Sequence, residues 1–224
     1  ESISIISEIG DEQAKLDTYW RYGSFIGIYK EWEQSKKFLE EGLKIARKRG
    51  DPWMVLRYKN NLAWSAVNQR KPELIEDQIE SNIDEALRLG NSYDIIDAYH
   101  VSADVAFLKK NFQLAVHNYI KAMKSALSLG SDLQVAVILH SLAQSEAGWG
   151  RHEKGLLLYG AANAKLQALE AVIPDFDTVV GRIESTIGIS QEFLGPEKSK
   201  SLDIQGRQMG FTAAIEYAFE VEKD

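Results

Sequence analysis

At 224 residues the chain has room for one large or two small domains, and 45% hydrophobic with 26% charged residues is the profile of a folded protein. Its 26 Lys+Arg against 33 Asp+Glu give a formal charge of −7, which argues against a nucleic-acid backbone as the main partner; the absence of cysteine excludes disulfides, thiol catalysis and cysteine zinc sites. The longest apolar runs, such as Val135 to Leu139, are far too short to span a bilayer, and the N-terminal ESISIISEIGDEQ has no basic signal-peptide region, so no membrane partner and a cytoplasmic setting are expected.

The elements follow from a forty-residue period. Gly10, Gly50, Gly90 and Gly130 stand forty apart, each followed by a small polar residue: Asp11, Asp51, Asn91 and Ser131. A glycine supplies a left-handed helix end, and Asp, Asn or Ser caps the next helix. Small residues recur at Gly23, Ala63, Ala103 and Ala143, where two helices can approach closely, and larger ones at Leu39, Ile79, Tyr119 and Tyr159, which fill the space opposite.

In chain order, Ile3, Ile5, Ile6 and Ile9 read as the end of a preceding repeat helix over residues 1–10, closed by Gly10-Asp11, as in a piece of a longer protein. Four antiparallel helix pairs are expected over 11–170: 12–29 with 32–49, 52–68 with 72–89, 92–109 with 112–129, and 132–148 with 152–170. Pro52 and Pro72 fall at helix starts, and Pro174 and Pro196 between later helices. None lies in a helix interior, where it would cost about 3 kcal/mol. The period then fades, and helices near 175–194, 196–208 and 211–222 are expected to form a cap over 171–224.

This spacing resembles that of tetratricopeptide repeats, whose signature is an aromatic-x2-Leu-Gly-x2-Tyr run in helix A and Ala-x3-Phe in helix B. The first pair reads Tyr19-x2-Tyr22-Gly23-x2-Ile26, then Ser35-x3-Leu39. The second reads Leu62-Ala63-x2-Ala66, then Ile75-x3-Ile79. The third reads Tyr99-x2-Ser102-Ala103-x2-Ala106, then Ala115-x3-Tyr119. The fourth reads Leu139-x2-Leu142-Ala143, then Gly155-x3-Tyr159, with Glu146 departing from the pattern. The resemblance implies an all-α fold: a right-handed α-α superhelix of about four helix pairs with a helical C-terminal cap. The period exceeds the roughly 34 residues usual for the family, implying longer helices.

A narrower resemblance lies near the C-terminus, in Leu157-Leu158-Tyr159-Gly160-Ala161-Ala162, then Gly206-Arg207-x-Met209-x-Phe211 and Ala214-Ile215-x-Tyr217-Ala218-Phe219. These stretches look like the end of large bacterial regulators that join a nucleotide-binding ATPase to a tetratricopeptide region and an output domain: a LuxR-type DNA-binding domain, a kinase or a cyclase. That likeness implies a sensor or interaction arm working with other domains of a parent protein.

In such an array helix A lines the concave face. The lining positions are Asp17, Trp20, Ser24 and Ile28 in the first pair, and Arg57, Asn60, Trp64 and Asn68 in the second. In the third they are Asp97, His100, Asp104 and Leu108, and in the fourth Val137, His140 and Gln144. Fixed hydrogen-bonding groups beside aromatic platforms suit an extended peptide or a protein loop. His100, Asp104 and His140 would offer two imidazoles and a carboxylate to a metal, but a fourth ligand is not evident, and no metal or cofactor is expected. Tyr19, Tyr22, Tyr99, Tyr119 and Tyr159 are expected in the core, and His117 and His152 at the surface without partners. Lys36-Lys37 and the Lys44–Arg49 cluster alternate with Glu33, Glu40 and Glu41, which reads as a solvated helix with spaced ion pairs. No phosphate-binding glycine loop, GxSxG or HExxH is present, so a non-enzyme is expected. The alternative reading is a groove for a small effector, or self-association into a homodimer.

Overall fold

A computed structural model describes residues 11–171 and 186–220. The expected repeat tail at 1–10, with its isoleucines and Gly10, lies outside the described residues, as do Pro174 and the first part of the expected cap. Among the described residues the regular structure is helical, without a strand: α1 Glu12–Ile28, α2 Trp32–Arg49, α3 Pro52–Asn68, α4 Ile79–Leu89, α5 Ser92–Leu108, α6 Phe112–Ser128, α7 Asp132–Gly148, α8 His152–Ala168, α9 Gly188–Leu194, α10 Pro196–Gln208 and α11 Phe211–Phe219. The chain divides into two compact units, Glu1–Asp94 and Ile95–Asp224.

The helix starts are where the small polar residues placed them. Asp11 accepts from the amides of Gln13 and Ala14, Asp51 from Met54, Asn91 from Tyr93 and Asp94, and Ser131 from Gln134. Gly50, Gly90 and Gly130 turn left-handed between pairs, with φ of 67°, 73° and 65°. The turns inside the pairs also need a left-handed residue, and there Lys30, Arg70 and Lys110 take φ of 64°, 57° and 59°, with Gly150 at 87°. The helix expected at 72–89 starts late. Pro72–Leu74 and Glu76–Gln78 are separate 3-10 turns, and the α-helix begins only at Ile79.

In the first unit, α2 packs between α1 and α3. Gly23 meets Leu39: a Cβ added to it would lie 2.9 Å from the leucine side chain, as the small-against-large register requires. Leu16, Leu39, Leu43, Ala46, Met54 and Tyr58 form the buried core here. Tyr58 is fully buried against Gly42, and its hydroxyl donates to the carbonyl of Leu16 at 2.5 Å. Burial pushes its phenol well above the usual tyrosine range. Tyr58→Phe should lower stability by about 1 kcal/mol, the usual worth of one such bond; a urea-unfolding midpoint equal to wild type would show the hydroxyl contributes nothing.

In the second unit, α6 packs on α7, α7 on α8, and α8 on α9, α10 and α11. Tyr119 and Leu139 are central buried residues, with Tyr99 and Tyr159 half-buried beside them. Tyr22 corrects the sequence expectation: it is exposed, not core. α8 and α10 cross at two glycines, Gly160 and Gly206, that belong to the C-terminal motif. A Cβ on Gly160 would lie 2.6 Å from the Asp203 carbonyl oxygen, and one on Gly206 2.2 Å from that of Leu157.

Candidate functional site

In the first unit, α1 and α3 carry Trp20, Ser24, Arg57, Trp64 and Asn68, all half-buried, with Asp17 exposed and Asn60 buried. The Arg57 guanidinium lies 5.9 Å from the Trp20 ring centroid, and its Nε lies 3.5 Å from Asp94 Oδ1. Asp94 is almost fully buried, and burial pushes its carboxyl above the usual range while Arg57 works against that shift. The cation is thus held between an aromatic face and a carboxylate, with part of its side chain open to solvent.

Asn61 links the two helices. Its side-chain amide donates to the Arg57 carbonyl at 2.9 Å, and its oxygen lies 2.6 Å from the Ser24 hydroxyl. The single Ser24 proton also has the Trp20 carbonyl in reach at 2.7 Å. Asn68 donates to the Trp64 carbonyl at 3.0 Å, and Gly27 leaves room for the Trp64 ring beside α1. Trp20 Nε1 and Asn60 Nδ2 are buried donors that meet no acceptor in the protein. Neither Asn61 nor Asp94 was singled out in the sequence; the signal for Asp94 was an acid in the interior half of a register that holds Met54 one period earlier.

In the second unit, α5 and α7 carry two versions of one arrangement, forty residues apart. His100 stands edge-on to Tyr119, with ring centroids 5.5 Å apart, and the Tyr119 hydroxyl donates to Asp104. One period on, His140 lies 5.2 Å from the Tyr159 ring, and the Gln144 amide nitrogen is 3.1 Å from His140 Nδ1. Asp104, His140 and Gln144 are buried, His100 is half-buried and Asp97 exposed. The register reading placed all of these on an open face; Asn60, Asp104, His140 and Gln144 lie inside the protein instead. For two of them the partner is visible: the Tyr119 hydroxyl donates to Asp104, and the Tyr159 ring lies against His140. Among the described residues no group of three or more His, Asp or Glu is arranged to hold a metal ion.

Glu146, which broke the repeat pattern, is fully buried where the other pairs hold Ile26, Ala66 and Ala106. Arg151 Nη1 and Lys154 Nζ each lie 3.5 Å from one of its oxygens, and neither oxygen accepts a hydrogen bond. Burial raises the Glu146 carboxyl against the pull of both cations and lowers the Lys154 ammonium. Arg151 is braced 3.8 Å over the Trp149 ring, and Lys154 lies 5.1 Å from that of Tyr217. Beside them opens a recess of about 450 Å³, lined also by His152, Glu153, Phe193, Leu194 and Glu220. His152, expected to stand alone, pairs with the Ser190 hydroxyl at 2.9 Å and stacks on Phe193. His117 is exposed, as expected.

No helix of the described residues is long and apolar enough to cross a membrane. Compared with known proteins, the chain matches no family model and no curated protein.

Proposed function

We propose that this chain is a non-catalytic tetratricopeptide-like module that binds a protein or peptide along its A helices. The helix pairs then belong to a right-handed superhelix, and the module serves as a regulatory arm of a larger bacterial cytoplasmic signalling protein. The observation that supports this most is the first-unit row: Trp20, Arg57, Asn61 and Ser24 are locked to one another, while Arg57 and Trp64 keep part of their surface open. Prefixed aromatic and guanidinium groups lose little freedom on binding, which favours them as anchors.

Selection of a random peptide library against the immobilised chain tests this reading. Enriched peptides are expected to bind a Trp20→Ala/Trp64→Ala variant, verified as folded by circular dichroism, about tenfold or more weakly. Peptides that bind both proteins equally, or no enrichment at all, would reject the groove.

A further inference from the structure

The buried Glu146 leaves two cations incompletely used. Arg151 Nη1 and Lys154 Nζ stand 3.5 Å from its oxygens, and neither oxygen accepts a hydrogen bond. The N–H groups of both cations are therefore drawn toward the buried charge but not consumed by it. Both side chains also line the recess of about 450 Å³, where 31% of the Arg151 side chain and 13% of that of Lys154 stay exposed. They are held in place from the other side, Arg151 by the Trp149 ring and Lys154 by that of Tyr217, so they would lose little freedom on meeting a ligand.

The remaining lining narrows the chemistry of that ligand. Gly150 to Lys154 bring the first turn of α8 to the recess, and its N-cap Arg151 offers no side-chain acceptor to the amides of that turn. The positive end of a helix thus adds to the two cations. Part of the lining is aromatic. The His152 and Phe193 rings lie 4.4 Å apart with their planes 35° from parallel, and Phe193 is 72% exposed. The His152 contact with the Ser190 hydroxyl at 2.9 Å fixes the imidazole in that stack. A flat ring has a platform here, next to groups that attract negative charge. Glu153, which pairs with Lys198, and the exposed Glu220 line the same recess. Their carboxylates repel further negative charge, which favours a single charge over a polyphosphate.

We propose that this recess binds a small organic monoanion, a carboxylate attached to a flat ring: the carboxylate accepts hydrogen bonds from Arg151 and Lys154, and the ring packs on Phe193. Glu146 is then a resident competitor. It gathers the two cations and at the same time weakens their hold on an incoming anion. The bound molecule would tie the start of α8 to α9. The site lies wholly in the second unit and shares no residue with the first-unit groove, so neither reading depends on the other.

Titration of the full chain with 2-naphthoate at neutral pH, followed by isothermal calorimetry, tests the proposal. Saturable binding at one site is expected, and 2-naphthamide, the same ring without the charge, should bind about tenfold or more weakly. Arg151→Gln should weaken 2-naphthoate by a similar factor. Phe193→Ala, which removes a largely exposed ring and is verified as folded by circular dichroism, should weaken it about fivefold or more. Glu146→Gln should tighten it about threefold or more, an effect that packing on a surface ring alone would not produce. No saturable binding in the millimolar range, equal affinity for the acid and the amide, or wild-type affinity in Arg151→Gln or Phe193→Ala would overturn the proposal. So would a Glu146→Gln chain that binds 2-naphthoate no more tightly than wild type. Displacement of 2-naphthoate by equimolar ATP would also overturn it, by assigning the recess to polyanions.

Discussion

Gly206→Ala should lower the stability of the protein by about 3 kcal/mol, the severe end for an overpacked interior. The new methyl group would fall 2.2 Å from the Leu157 carbonyl oxygen, where no side chain can swing away. α8 and α10 would have to separate, and with them the contacts that seat Leu202 beside Leu156 and Ala147. Gly160→Ala should act at the same crossing, since its Cβ would meet the Asp203 carbonyl oxygen at 2.6 Å. The two substitutions should therefore be strongly non-additive, because helices parted by the first leave room for the second. Gly130→Ala provides the contrast. Nothing lies within 4 Å of its Cβ position, so only the left-handed backbone, at φ 65°, opposes the change, at about 1 kcal/mol. Urea unfolding of wild type, the three single variants and the Gly160→Ala/Gly206→Ala double variant decides the matter: a Gly206→Ala effect no larger than that of Gly130→Ala would mean the crossing is not tight.

Lys154→Met should also cost about 3 kcal/mol, whereas Glu146→Leu/Lys154→Met should be close to wild type or more stable. The single change leaves a fully buried carboxylate with Arg151 as its remaining cation, and a half-paired buried charge is heavily penalised. The double change restores an apolar residue at a position that is Ile26, Ala66 or Ala106 in the other pairs. The dependence on pH has a fixed sign. Burial raises the folded-state pKa of Glu146 above its ordinary value of 4.5, so the folded state holds this proton more tightly than the unfolded chain. The stability it contributes is greatest below that value and declines as pH rises through the raised one. The Lys154→Met penalty should accordingly shrink as pH falls from neutrality through the raised Glu146 pKa, and be smallest near pH 4.5, where Glu146 is already protonated in the folded state. Thermal unfolding from pH 4 to 8 reads this directly, and a penalty constant with pH would exclude an unpaired Glu146 charge as its cause.

The helix boundaries were legible because their signals are local. Asp11, Asp51, Asn91 and Ser131 cap within three residues of themselves, and Gly50, Gly90 and Gly130 turn the chain where they stand. The late start of α4 was not legible, because Pro72 marks a helix entry equally well for an α-helix and for the 3-10 turn it opens. Glu146 was visible as an anomaly, but its cations come from the next helix, and no repeat register points to them. Gly160 and Gly206 were noticed as parts of a motif; that they meet is a fact of packing between α8 and α10. Register assigns His140 and Asp104 to a lining face, but both are buried, because how far Tyr119 and Tyr159 reach toward them is set by side-chain packing.

The left-handed turns have a consequence for how such a chain can change length. Every junction between described pairs has the same backbone hinge followed by the same kind of capping residue. Excising residues 51–90 would join Gly50 to Asn91, and excising 91–130 would join Gly90 to Ser131; each new joint is again a glycine followed by a cap. Genetic duplication or deletion of a whole period therefore leaves no malformed loop at the seam. A lineage carrying this architecture could lengthen or shorten its row of helix pairs in steps of one pair, with selection acting on the helices and little on the connections.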